Sequence, residues 1–422
     1  MQTTHHGDPA LRFVQLLMIC LFASLWTSGE KLHAQRRLRL LGHNDARQIR
    51  DLAFSPDGKL LASASDDGTV HIWEAITGKS VATLNHDGAV KRLAFSLDGR
   101  LLATSYSTQN HAGVRIWHVE SWQGSDLGNL MLGHARDVNA LAFSPDGKRL
   151  VTAAGAGGGL PNEVKLWDPT TRKEIAVLRN SDTILDVGFS PDGKLFAAVG
   201  IYGVRRGKGA VIIWRTDAFD APQELRNEGH NSKLVFSPNS QLLAVGTRLT
   251  ARDNKDKNKV PCRVNLWQLE GAKLVDSLPG FVGNINTIAI SPDSQMLVAS
   301  ATLPGGFTTT FGEVVGVLNV ATGARRVLER NTHSRSIQFS PIGGLLATSF
   351  TTPRPGVRVW DARSGHVLTT LEQGKPRDVV MHIRYSPQGD KLAVANLSPS
   401  GIDPLCIWFL AEQTAAADDR HQ

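Results

Sequence analysis

One seven-residue pattern comes round eight times in this chain. It reads LAFSPDG from Leu52, LAFSLDG from Leu93, LAFSPDG from Leu141, VGFSPDG from Val187, LVFSPNS from Leu234, IAISPDS from Ile288, IQFSPIG from Ile337 and IRYSPQG from Ile383. Its anchoring positions are Phe54, Phe95, Phe143, Phe189, Phe236, Ile290, Phe339 and Tyr385, with steps of 41 to 54 residues between them. A period of this size means repeated supersecondary units, none of which can bury its apolar face alone. Each copy is an apolar strand running into a tight turn. Pro presets φ, Asp bonds its own backbone and Gly accepts positive φ.

The rest of the unit is equally regular. A second apolar stretch follows the turn, and a third ends in Trp at Trp73, Trp117, Trp167, Trp214, Trp267, Trp360 and Trp408, with Leu318 standing in the sixth unit. A turn such as ARSGH and a short strand such as VLTTL complete it. Four short antiparallel strands per period make a β-propeller blade. After Trp408 the chain offers no convincing strand, so the eighth unit lacks its fourth. The alternating stretch RRLRLLGH at Arg36–His43 precedes the first unit, and a strand at about Arg37–Leu41 is expected to complete the eighth blade. The expectation is an all-β, eight-bladed propeller over residues 36–410, closed by its N-terminal strand, with a tail at 411–422. Seven blades with a stray sheet is the alternative.

These residues resemble the WD40 family from about Arg37 to Leu410, in a bacterial-type exported form. The resemblance implies a buried His–Ser–Asp–Trp network, matched in full only by His43, Ser63, Asp67 and Trp73. It has the composition of a catalytic triad, but the family uses it structurally. His86 and His134 occupy the His position in the next two units, where no Asp equivalent is present, so most blades are expected to be held by packing.

Residues 1–34 read as a signal peptide or N-terminal anchor. Phe13–Trp26 is an apolar run of signal-peptide length, preceded by Arg12, with Ala34 or Gly29 as the cut. The expectation is an extracytoplasmic chain, periplasmic or secreted, touching a membrane only if that segment is retained. Cys20 falls in this segment, and Cys262 and Cys406 lie three blades apart, too far for a disulfide.

The formal charge of +7 favours anionic partners. Between the strand-a anchor and the Trp position the span grows from 19 residues in the first unit to 31 in the fifth, and the growth falls in the b–c loops of blades four to six. Those loops carry Tyr202, Arg205, Arg206 and Lys208, then Arg248, Arg252, Lys255, Lys257, Lys259 and Arg263, then Phe307 and Phe311. Basic groups beside aromatics suit an anionic or sugar-bearing partner. A protein is the foremost expectation, an acidic glycan or other anionic surface the next. Export and the missing interleaved aromatics argue against nucleic acid. No HExxH, GxSxG, CxxC or P-loop pattern occurs, and neither metal nor cofactor is expected. The leading expectation is a non-catalytic binding scaffold. A hydrolase or lyase with its site at the channel mouth is the alternative, and a purely structural envelope protein is the third.

Overall fold

The computed structural model describes residues 32–412 apart from 44–46, 110–111, 123–128, 135–136, 156–161, 181–182, 202–207, 250–260, 303–313, 331–333, 352–353, 376–377 and 398–404. Among the described residues lie thirty-two strands in eight four-stranded antiparallel sheets. Blade one is β2 (Ile49–Phe54), β3 (Leu60–Ser65), β4 (Thr69–Glu74) and β5 (Ser80–Asn85). Blade eight is built from both chain ends: β30 (Val379–Tyr385), β31 (Lys391–Leu397) and β32 (Leu405–Glu412) are joined on their outer side by β1 (Leu32–Arg39). First strands of successive blades pack side by side, and β30 packs on β2, so the ring is closed.

The closing strand starts five residues ahead of the sequence expectation. Its register runs from Leu32↔Glu412 to Arg39↔Cys406 with a bulge between Ala34 and Arg36, so the expected cleavage point at Ala34 lies inside a paired strand. Leu40 is 1% exposed, and the guanidinium groups of Arg36 and Arg37 lie over the rings of Phe409 and Trp408. The seam therefore joins apolar burial to a backbone ladder and gives β32 a paired partner on its outer side.

A single blade has almost no interior. The buried apolar side chains form eight clusters, one for each pair of neighbouring blades. The cluster across the closing seam combines Leu40, Ile49, Leu61 and Trp73 with Ala393, Ala395 and Ile407. Burying a Leu or Ile side chain is worth about 1.5–3 kcal/mol, and here that gain exists only between units.

The Ser-Pro-Asp-Gly turns are closed by side chains. Ser55 Oγ donates to Asp57 Oδ1 (2.6 Å), which also accepts from the Lys59 amide (3.0 Å). Blades two, three and four repeat this arrangement. Blades five and six place Ser240 and Ser294 where the others have Gly, at φ 58° and 60°. That left-handed conformation is unfavourable for a residue with a Cβ. Each hydroxyl compensates by accepting from a turn amide of the preceding blade, Asp192 at 3.0 Å and Asn239 at 3.3 Å.

Candidate functional site

The first strand of most blades carries one extra residue. Register shifts fall between Ile49 and Asp51, Val90 and Arg92, Val138 and Ala140, Ile184 and Asp186, Asn231 and Lys233, Ile285 and Thr287, and Val380 and His382. Such a bulge re-aims the side chains around it. The residues just past it, with Ser336 at the matching position of blade seven where no such shift occurs, form a belt, one per blade: Asp51, Arg92, Ala140, Asp186, Lys233, Thr287, Ser336 and His382. Several clasp the next first strand. Asp51 accepts from the Leu93 amide (3.3 Å), Asp186 from Leu234 (3.3 Å) and Ser336 from Ile383 (3.1 Å), while Arg92 donates to the Asn139 carbonyl (2.8 Å). Sequence reasoning missed this belt, because a bulge has no fixed residue type.

Asp51 does more. It also accepts from its neighbour Leu52 (3.0 Å) and from Arg384 across the closing seam (3.2 Å). Gln388 adds a bond to the Asp57 carbonyl across the same seam (3.0 Å). The two chain ends are thus tied on the outer side by β1 and on the inner side by Asp51.

His43, Ser63, Asp67 and Trp73 form one connected network. His43 Nε2 lies 2.7 Å from Ser63 Oγ, His43 Nδ1 lies 3.0 Å from Asp67 Oδ2, and Trp73 Nε1 donates to Ser63 Oγ at 3.0 Å. The distances would suit a triad, but Ser63 is 0% exposed and its oxygen is covered by the indole. A nucleophile needs room for a reacting carbon beside its oxygen. The network therefore fastens the loop before β2 to β3 and β4.

Reduced forms occur elsewhere. In blade two His86 meets Thr104 (2.8 Å), Trp117 donates to the same oxygen (2.9 Å), and the Leu84 carbonyl replaces the missing carboxylate (3.2 Å). Trp167 and Trp360 donate to Thr152 and Thr348. In blade eight Gln373 Oε1 accepts from both Trp408 and Cys406. More blades keep a polar anchor for the Trp than expected from the scarcity of complete tetrads. Trp267 Nε1 has no partner among the described residues. Cys262 and Cys406 are buried thiols, and burial pushes the Cys262 thiol up to about 12.

Removing the Ser63 hydroxyl by Ser63→Ala strands the His43 and Trp73 nitrogens, and a loss of about 1–3 kcal/mol in urea unfolding is expected. A variant as stable as the parent would show that packing alone holds this loop.

Buried histidines, His71 and His86 among them, set an acid limit. Burial, with the neighbouring His43 helping, pushes His71 down to about 4, and burial with the Arg115 charge does the same to His86. The unfolded chain therefore takes up protons at these sites before the folded one. Stability is level above the ordinary histidine pKa near 6.5 and falls as pH drops from there towards 4, by about 1–3 kcal/mol per histidine. The turn aspartates Asp57, Asp98, Asp146 and Asp192 lie below the ordinary carboxylate value, so their loss follows at lower pH still. Urea midpoints that stay constant from neutral pH to pH 4 would contradict this.

The strand ends that flank the three expected binding loops lie on one side of the ring. Of the expected binding residues, Arg248 and Arg263 are described. They flank the fifth b–c loop, at cross-strand positions Arg248↔Cys262 and Thr247↔Arg263, both half-buried. The Arg248 charge helps burial to lower the His230 pKa. Lys208 opens a strand in blade four. Tyr202, Arg205, Arg206, Arg252, Lys255, Lys257, Lys259, Phe307 and Phe311 lie outside the described residues. A cavity of about 510 Å³ opens on the other face, between blades six and seven, over Met296 and Val317 and beside Arg325, Arg326 and Arg363. No group of three or more His, Cys, Asp or Glu among the described residues could hold a metal.

Residues 35–74, 78–118 and 126–168 match the family model "WD domain, G-beta repeat". The chain is 24% identical over 281 residues to a serine-threonine kinase receptor-associated protein of Gallus gallus, covering 66% of this chain and 71% of that one. It is 26% identical over 288 residues to the nuclear distribution protein PAC1 of Arthroderma benhamiae, covering 63% of this chain and 58% of the relative, and 26% identical to protein hir1 of Schizosaccharomyces pombe, of which it covers 24%. The C-terminal WD40 domain of Sif2 superposes with a TM-score of 0.67 at 15% identity, over 90% of this chain and 99% of that one, a likeness of fold.

These relatives correct one expectation. They are eukaryotic, named for nuclear distribution and for association with a kinase receptor, which overturns the extracytoplasmic reading. That reading rested on Phe13–Trp26, and a short apolar run is a feature of composition that buried segments share with export signals. The run itself lies outside the described residues, among which no helix is long and apolar enough to cross a membrane.

Proposed function

From a chain that carries WD40 repeats on a closed eight-bladed ring, we propose a protein-binding scaffold that presents its b–c/d–a face, chiefly blades four to six, to an acidic protein partner. The observation that carries this is topological. The strand ends at Ile201 and Lys208, Arg248 and Pro261, and Thr302 and Val314 lie on one side of the ring, so the b–c connections of blades four to six leave from that side. Loops on a rigid frame are where recognition resides, and these carry the basic cluster Arg205, Arg206, Arg252, Lys255, Lys257 and Lys259 beside Tyr202, Phe307 and Phe311. The relative named for association with a receptor supports partner binding as the kind of activity. Against a hydrolase or lyase in the channel, Asp51 and Asp186 are already engaged with backbone amides.

Changing Lys255, Lys257 and Lys259 together to Glu tests the reading. Proteins captured by the parent from its native extract, identified by mass spectrometry, should include acidic ones that the triple variant loses, with the melting temperature of the two baits alike. An identical set of captured proteins sinks the basic-loop proposal.

A further inference from the structure

The cavity of about 510 Å³ between blades six and seven opens on the a–b/c–d face, opposite the b–c loops. One side of blade six forms its wall. Register places Val317 of β24 (Val314–Asn319) between Val298 of β23 (Met296–Thr302) and Arg326 of β25 (Arg325–Arg330), with Met296 opposite Asn319. Directly opposite residues of antiparallel strands point to the same side of a sheet. That side packs on blade seven through Met296, Val298 and Val317. In the other seven blades the residue at the register position of Arg326 is uncharged or, in blade five, the carboxylate Asp276. A cation there belongs to blade six alone.

Arg326 is held in place by blade seven. Its Nη1 donates to the Arg363 carbonyl at 2.8 Å and its Nη2 to the Ala362 carbonyl, both in the c–d turn of that blade. A Cβ on Gly365 of the same turn, at φ 75°, would stand 3.0 Å from Nη1, so the turn is shaped around the guanidinium. Both acceptors are neutral. The charge of Arg326 is therefore uncompensated, and its remaining N–H groups have no acceptor among the described residues. Arg363 is exposed and has no carboxylate partner among the described residues. The other charges of the cavity are engaged. Arg325 pairs with Asp276 of blade five, and Asp293 accepts from Ser291 Oγ and from the Gln295 amide.

An apolar floor thus lies beside two unmatched guanidinium groups. A small anion alone would leave the space over Met296 and Val317 unfilled, whereas an apolar side chain fills it. A carboxylate beside that side chain takes the planar donor fork of an arginine.

We propose that this cavity docks a short acidic segment of a protein partner, with one apolar side chain over Met296 and Val317 and a neighbouring glutamate or aspartate on Arg326 and Arg363. The hold of blade seven on Arg326 lowers the cost of ordering that side chain on binding. A ring with a site on each face can hold two partners at once. Failure of this site would leave the scaffold reading of the b–c loops untouched.

The probe is a panel of fluorescein-labelled, amidated hexapeptides, each with Leu, Met, Phe or Val beside two glutamates, and the same panel with Gln for Glu. Fluorescence anisotropy reads binding to the parent, Arg326→Gln, Arg363→Gln and Ala324→Trp. The last substitution, at an exposed lining residue, fills the cavity without altering its charge. The parent should prefer glutamate peptides to their glutamine twins. Each variant should weaken the best binder about tenfold or more, the worth of a lost charge-assisted hydrogen bond. Changing Lys255, Lys257 and Lys259 together to Glu should leave its Kd unaltered. Arg363 lies exposed in a turn, so Arg363→Gln decides if Arg326→Gln does not fold. No peptide bound, no preference for Glu over Gln, a best binder indifferent to Arg363→Gln and Ala324→Trp, or one lost in the triple-lysine variant would each overturn the proposal.

Discussion

Removing Leu32–Arg39 should cost the protein most of its stability. The deletion strips β32 of its partner along a register of seven paired positions, uncovers Trp408 and Phe409, and takes Leu38 out of the cluster between blades eight and one. One partly buried Leu, two uncovered aromatic faces and the lost ladder bonds sum to on the order of 5–10 kcal/mol. Domains commonly hold only about 5–15 kcal/mol in total. The expected outcome is a truncated chain that aggregates or melts more than about 10 °C below the parent. Adding a synthetic peptide of the Leu32–Arg39 sequence should restore part of the loss. A truncated chain with the parent's melting temperature would mean that blade eight needs no fourth strand.

Asp51→Ala should be the most damaging single substitution in the belt. It removes the acceptor for the Leu52 and Leu93 amides and leaves the Arg384 guanidinium without its carboxylate. Asp51 is 7% exposed, so water replaces little of what is lost. Breaking one side of a fully buried, hydrogen-bonded ion pair costs about 3–5 kcal/mol, and with the Arg384 side chain 36% exposed the lower end of that range is expected. Asp51→Asn keeps one acceptor oxygen and should fall between the parent and the alanine variant. A double-mutant cycle with Arg384→Ala isolates the pair across the seam. A coupling close to zero would show that Asp51 acts through the amides alone.

The fold was legible because its information is repeated. A single Ser-Pro-Asp-Gly marks one turn, but eight in phase with seven Trp residues leave one architecture, and counting strands placed the closing one. Its extent was less legible. Leu32–Ala34 read as the end of a leader, because a strand that pairs across the whole length of the chain has no local partner in sequence.

The polar interior was read unevenly for a similar reason. His43, Ser63, Asp67 and Trp73 stand at family positions and could be picked out together. Thr104, Thr152 and Thr348 sit in runs such as LLATSYS, where a hydroxyl residue looks like ordinary strand composition, and their role depends on a Trp two strand positions away. Gln373 replaces the histidine outright and joins Trp408 to Cys406. Asp51 and His382 are more than three hundred residues apart and become neighbours only when the ring closes.

Closure itself is most directly tested by hydrogen–deuterium exchange on the intact chain. If β1 is an integral strand of blade eight, amides of Leu32–Arg39 and of Leu405–Glu412 should be protected together, to the degree seen in the outer and third strands of the other blades. Rapid exchange across Leu32–Arg39 beside slow exchange in β4 and β5 would contradict a ring fastened by its N-terminal strand.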